Sequence, residues 1–252
     1  MEISQVQKDD ILRRVANLMA AYDKGLLGGK VMPEDANPGL AKNSAENCAY
    51  FTLPMALNYQ RNSYTLWQSA LQTYEDENTR DIFVPQLAAQ MDIALLREKL
   101  MAYKLAIQPN KQPVIWQTLC ATFTELFAGD VRNFFTAHNY SVAAMKGFVQ
   151  GHKKQFPYLG GDKLLNYWLY VMMNRTDAVF PDSHLLTVSP DTHVLQASVK
   201  LGLITQEQAD KSDGRRVTAE VWQALLVGSP WHSLDVHTPL WLWSRGKFSV
   251  TI

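Results

Sequence analysis

The chain has 252 residues, 47% of them hydrophobic and 19% charged, enough apolar material for one large domain or two small lobes around a real core. Its 24 basic and 24 acidic residues cancel, which excludes a globally basic polyanion binder and confines any nucleic-acid face to a local patch. Two cysteines, Cys48 and Cys120, are too few to ligate an iron–sulfur cluster.

The same two cysteines read as buried thiols in a reducing compartment. The six His residues lack metal-ligand spacing, so neither a metal nor another cofactor is expected. Asp9 and Asp10 occupy the region where a signal peptide would need an apolar core, and no run approaches the ~20 apolar residues of a membrane span. A cytoplasmic monomer without membrane contact is the expectation.

Taken in chain order, residues 3–22 place Ile11, Leu12, Val15, Leu18, Met19 and Tyr22 on one helical face. The stretch from Gly25 to Gly39 breaks that pattern and reads as a loop. Helical spacing resumes from Ala45 to Tyr74, with Pro54 dividing it and Asn62-Ser63 offering a cap for a second helix. Further helices are predicted near 84–107, 114–127, 130–137, 141–151 and from Lys163 to Met173. A loop with Pro181 and Pro190 precedes a helix capped by Asp191 and stopped by Gly202. Short helices follow at Thr205–Gln208 and Thr218–Val227, then a last aromatic one within SPWHSLDVHTPLWLWSRG. Only Phe248–Ile252 has the pattern of a short strand, so the predicted fold class is all-α.

Two segments carry chemistry. In FPYLGGDKLLNYWLYVM, from Phe156, the paired Gly160 and Gly161 lead into a helix starting near Lys163. Such a turn lets backbone approach a ligand, and a helix start favours an anion such as a DNA phosphate. In SPDTHVLQASVKLGL, from Ser189, Asp191 opens the next helix. Together these segments resemble the helix-hairpin-helix superfamily of DNA glycosylases, in which a Gly-rich hairpin, a Lys at the following helix start and an Asp at a D-T-H-V-like helix start recur. DVHTPLWLWSRG, Asp235 to Gly246, resembles that family's closing helix. The likeness runs from about Ala45 to Gly246. Leu159 stands where the hairpin's first Gly would fall with the lysines aligned. The Lys-to-Asp separation of 28 residues (191 − 163) is closest to the archaeal 8-oxoguanine glycosylase/lyase branch.

The resemblance implies a single two-lobed helical unit over 1–252, with lobes near 45–140 and 141–245, an interlobe cleft, and the N-terminal helix packed on the second lobe. It implies Lys163 and Asp191 as catalytic residues. A carboxylate stabilises the charge left on the sugar as the base departs. A Lys amine attacks C1′ only when neutral, so Lys163 needs a pKa lowered from ~10.4 by burial or nearby cations. DNA contacts are implied at Gly160 and Gly161, at Lys153 and Lys154 before the hairpin, and at Gln60, Arg61 and Asn62. A base pocket would draw on Trp222, Trp231, Asp235 and His193.

Each of these residues also has an ordinary reading. Lys163 fits a solvated first-turn lysine and Asp191 a plain N-cap. Gln60–Asn62 fit a polar helix end, Lys153-Lys154 a solvated charge pair, the tryptophans core packing, and His193 a packing or capping residue. Three functions follow. The first is excision of a damaged or modified base from DNA, oxidised guanine foremost, with abasic-site lyase activity. The second is cleavage of a free modified nucleoside or nucleotide, as in queuosine salvage. The third is noncatalytic binding of DNA structure.

Overall fold

The computed structural model describes residues 4–28, 32–187 and 190–252. Residue 3 of the first predicted helix, residues 29–31 of the Gly25–Gly39 loop and Ser189 of the SPDTHV segment lie outside them. Among the described residues the protein is all-helical, with thirteen α-helices, four short 3-10 turns and no strand. The chain forms two compact units, Val31–Leu185 and a discontinuous one made of Met1–Lys30 with Leu186–Ile252.

The first helix, α1 (Gln5–Asp23), starts at a capping box in which Ser4 and Gln7 satisfy each other's backbone N–H groups. Of the face the sequence spacing marks out it buries Ile11, Val15 and Leu18, with Leu12, Met19 and Tyr22 partly buried against the same core, and it buries Ala21 in addition.

The continuous unit holds α2 (Ala45–Thr52), α3 (Ser63–Glu75), α4 (Pro85–Gln90), α5 (Ile93–Ala102), α6 (Gln112–Phe127), α7 (Val131–Ala137), α8 (Val142–Gly151) and α9 (Asp162–Arg175). Pro54 does divide the second helical stretch, ending α2 and opening a 3-10 turn over Pro54–Leu57. The Asn62 side chain accepts from Thr65 N and caps α3. The single helix predicted over 84–107 is two helices, because Asp92 accepts from Ala94 N and Leu95 N and starts α5 afresh.

Aromatic side chains fill this unit's interior. Tyr50, Phe51, Trp67 and Trp116 are fully buried, as are Phe123, Phe134, Phe156 and Trp168. The unit boundary falls at Leu185 rather than near residue 140, since α9 packs on α2 and on the Pro54–Leu57 turn. Trp168 fastens that contact, its Nε1 donating to Thr52 Oγ1 at 2.9 Å. Truncating such a buried tryptophan to Ala costs about 3–5 kcal/mol.

The loop ahead of α2 is not simply solvated. Glu34, in a 3-10 turn over Pro33–Asp35, is 2% exposed, and the Tyr167 hydroxyl donates to its Oε2 at 2.8 Å. Burial raises the Glu34 carboxyl above its ordinary range. Beside it Asp35 pairs with Arg175, and the Tyr50 hydroxyl donates to Ala36 O at 2.9 Å.

The discontinuous unit adds α10 (Thr192–Leu201), α11 (Gln206–Asp210), α12 (Gly214–Leu226) and α13 (Ser233–Arg245) to α1. α13 packs on α1 and α10. The core gathers Ile11, Val15 and Leu18 with Val194, Leu201, Trp222, Leu240 and Trp243. Phe248–Ile252 makes no strand. Lys247 and Phe248 take left-handed backbone (φ +53° and +57°) and the tail folds back, so that Trp243 Nε1 donates to Val250 O at 2.8 Å.

Candidate nucleic-acid interface and acid site

The connection between α8 and α9 is a tight turn whose amides are largely spent on itself. Leu159 N donates to Pro157 O, Gly160 N to Phe156 O and Gly161 N to Tyr158 O, at 2.7, 2.8 and 3.1 Å. The N–H groups of both glycines are therefore committed within the turn. Gly160 earns its place by close approach: a Cβ there would stand 3.2 Å from Lys153 Cγ and from Phe156 O. Lys153 is thus laid along the turn, with its exposed amine end and the exposed Lys154 beside it.

Tyr158 links this turn to the other predicted DNA-contacting segment. Its ring lies 4.9 Å from that of Tyr59, tilted by 45°, and Lys111 Nζ sits 4.9 Å from its centroid. Tyr59 immediately precedes Gln60, Arg61 and Asn62, so the two segments meet on one surface. Arg61 is half-buried, with NH1 donating to Leu105 O at 2.7 Å and NH2 to Lys104 O at 3.1 Å. It props up the turn that presents Lys104, while Gln60 and Asn62 are exposed. Three non-glycine residues of this surface adopt left-handed backbone: Gln60 (φ +52°), Lys104 (φ +58°) and Tyr158 (φ +60°). Sequence reasoning missed Tyr59, Tyr158, Lys104 and Lys111. The interleaving of tyrosine and lysine was visible, but only the fold brings positions 59, 111 and 158 together.

Lys163 is the second residue of α9 and is exposed. The fold of its own unit therefore does not supply the burial expected for a neutral amine. A half-buried lysine does occur on α8: Lys146 Nζ donates to Asn166 Oδ1 at 3.3 Å, and burial lowers its pKa against the opposing pull of Asp162.

Asp191 belongs to the discontinuous unit. Its Oδ1 accepts from His193 N at 2.9 Å and Val194 N at 3.0 Å, capping α10, and its Oδ2 accepts from Trp241 Nε1 at 3.1 Å. The His193 ring stands edge-on to Trp241 at 5.4 Å, with Nδ1 3.2 Å from Ser244 Oγ. The Arg245 guanidinium lies 5.2 Å over the Trp241 ring. Three donors on one carboxylate fix its orientation. Trp241, from the LWLW run, is one of the tryptophans the sequence offers for base stacking or core packing; its bond to Asp191 is what the sequence does not show.

The other base-pocket expectations fare differently. Trp222 is fully buried and donates through Nε1 to Ser198 Oγ at 2.8 Å, so its faces are used by the core and none is open to a base. Trp231 packs partly buried against the same core. Asp235 accepts from His232 N at 2.8 Å and closes the N-terminus of α13.

A cavity of about 660 Å³ opens in the continuous unit, walled by Phe83, Val84 and Leu87 with Glu46, Glu77, Arg80 and Asp130 among its polar groups. It takes in the C-terminal end of α3 at Tyr74, Glu77 just beyond that helix, and the turn after α6 (Ala128, Gly129). The lysine–tyrosine surface lies at the opposite ends of both helices, a distance of roughly 20 Å for α3. The cavity end carries both signs, with Asp130 paired to Arg132 and Asp81 to Lys99, whereas the other end bears the exposed lysines.

Cys48 and Cys120 are buried and unpaired with each other, and burial pushes the Cys48 thiol up to about 12. Among the described residues no cluster of three His, Cys, Asp or Glu could hold a metal, and no helix is long and apolar enough to cross a membrane. No family model matches the chain, and no curated protein matches it in sequence.

Proposed function

We propose that this chain is a two-lobed helix-hairpin-helix DNA glycosylase that removes a damaged or modified base, with Lys163 as amine nucleophile and Asp191 as the carboxylate that stabilises the sugar. The observation that carries the reading is the convergence of the glycine turn and the Tyr59–Asn62 segment on one surface bearing Lys104, Lys111, Lys153 and Lys154. Clustered cations with interleaved aromatics are what a phosphodiester strand with accessible bases requires.

The Asp191 arrangement supports the same reading. Its carboxylate is pre-oriented by two backbone amides and an indole, so it needs little reorganisation as positive charge develops on the sugar. Lys163 is exposed in the free protein, and bound DNA would supply its desolvation. The amine then adds to C1′ as the base leaves with its bonding electrons, and the C1′–O4′ bond opens, its oxygen taking up the proton the amine gives up, to leave a Schiff base from which β-elimination cleaves the strand. The reading requires Lys163 and Asp191 to reach one extrahelical nucleotide, at an unstacking cost of roughly a few kcal/mol.

Borohydride trapping on duplexes carrying 8-oxoguanine, uracil or bulkier modified bases tests this. A covalent adduct with wild type and none with Lys163→Ala is expected. Base release without an adduct would replace the lyase route by water attack assisted by Asp191, and absence of both would overturn the DNA reading. One observation favours a second reading: the 660 Å³ cavity is large enough for a nucleoside, and its carboxylates would disfavour a phosphate. Release of base from a free modified nucleoside, abolished by Glu46→Gln or Glu77→Gln, would favour that alternative.

A further inference from the structure

Tyr158 occupies a backbone conformation that glycine would adopt without strain, at φ +60° in the turn before α9. A side chain there carries a cost, so its ring has to contribute something in return. That ring does not enter the core. It is half-buried, meets Tyr59 at 4.9 Å and carries Lys111 Nζ 4.9 Å from its centroid. Tyr59 in turn is 47% exposed, and the 45° tilt between the rings leaves it open to a further partner.

We propose that the Tyr59–Tyr158–Lys111 cluster is a stacking platform for an unpaired base, so that the chain selects DNA that is single-stranded or carries an extrahelical base over intact duplex. This rests on the DNA reading above and names the form of DNA taken. Within a duplex the base faces are covered by their neighbours, and only an unstacked base can lie on a tyrosine ring. The lysines decide what else the partner must be. Lys104, Lys111, Lys153 and Lys154 are all exposed on this surface, and they match a chain of phosphates rather than a neutral aromatic ligand. Arg61 contributes by position, its two bonds to the carbonyls of residues 104 and 105 tying the turn that carries Lys104 to the segment that follows Tyr59.

The test is fluorescence anisotropy with three labelled 20-mers: a single strand, a perfect duplex, and the same duplex with one bulged base. Wild type is expected to bind the first and third at least about ten-fold more tightly than the second. Tyr158→Gly is the diagnostic variant because it removes the ring and relieves the backbone, so lost binding cannot be assigned to misfolding. It and Tyr59→Ala should each weaken binding to single-stranded and bulged DNA about ten-fold while leaving duplex binding unchanged. That pattern supports the platform whether or not any base is released. Equal binding to all three DNAs, or indifference to Tyr158→Gly, overturns the platform, and base release from the duplex panel under those conditions would leave the glycosylase reading standing. Failure to bind any of the three overturns both.

Discussion

Glu34 sits in a loop the sequence marks as polar, yet it is buried against Tyr167. Its carboxyl is raised foremost by burial, with the Tyr167 hydrogen bond and Arg175 pulling the other way. A raised value means that the native protein holds this proton more tightly than the unfolded chain does. The associated stability is present below the ordinary carboxyl value and is lost as pH rises through the folded one. Glu34→Gln keeps an acceptor for Tyr167 and removes the titration. Its Tm should therefore equal that of wild type near pH 4 and exceed it by a few degrees at pH 8, read by differential scanning calorimetry. A lower Tm at pH 8 would show that Arg175 outweighs burial. Nothing in the sequence around Glu34 distinguishes it from the exposed Asp35, because the distinction comes from α9, more than a hundred residues away. Asp191 is the opposite case: its cap is a local bond, and a cap is legible wherever Asp precedes a helical apolar pattern.

Helices were legible for the same local reason. Their boundaries follow capping residues such as Ser4, Asn62, Asp92 and Asp191, and only the stretch over 84–107 was read too long, where Asp92 was passed over. Asn62 shows how an element start and a proposed DNA contact overlap. Its side chain accepts from Thr65 N at 3.2 Å, and its position beside Gln60 puts it on the lysine–tyrosine surface. Asn62→Ala loses the cap and should cost about 1 kcal/mol in urea unfolding. Asn62→Asp retains the cap and adds a negative charge, so it should preserve stability while weakening DNA binding several-fold. If the two variants bind DNA equally well, Asn62 is a cap alone. The Lys–Tyr surface itself was only half legible: Gln60 to Asn62 and the glycine turn were each visible, but their meeting through Tyr59 and Tyr158 is a tertiary contact with no local trace.

Across the whole molecule, zero net charge argued against nucleic acid only so long as charge was counted rather than located. Four exposed lysines on one surface predict a measurable ionic-strength dependence. For single-stranded DNA, each phosphate neutralised adds about −0.7 to the slope of log K against log salt, so a slope of about −3 is expected if all four engage. Replacing Lys111 by Ala should reduce it by about one phosphate's worth. A slope near zero would remove these lysines from any DNA contact. The unit boundary at Leu185 was not legible either, because the contacts that tie the later helices to the earlier ones are tertiary: α9 packs on α2, and Phe148 of α8 meets Phe127 and Phe134.

The discontinuity of the unit that contains α1 has a consequence for how the chain is made. α1 is synthesised early, but the helices that cover Ile11, Val15 and Leu18 lie after Leu186. At about 5–20 residues per second, the ribosome delivers the intervening segment and then α10–α13 only after some 10–40 s. During that interval the unit from Val31 to Leu185 has all its sequence and can close, while α1 waits with an uncovered apolar stripe. A ribosome stalled once Leu185 has cleared its exit tunnel, with α10–α13 still unmade or enclosed, would hold a complete Val31–Leu185 unit and an unsatisfied helix on one nascent chain, and that helix is where a chaperone would first take hold.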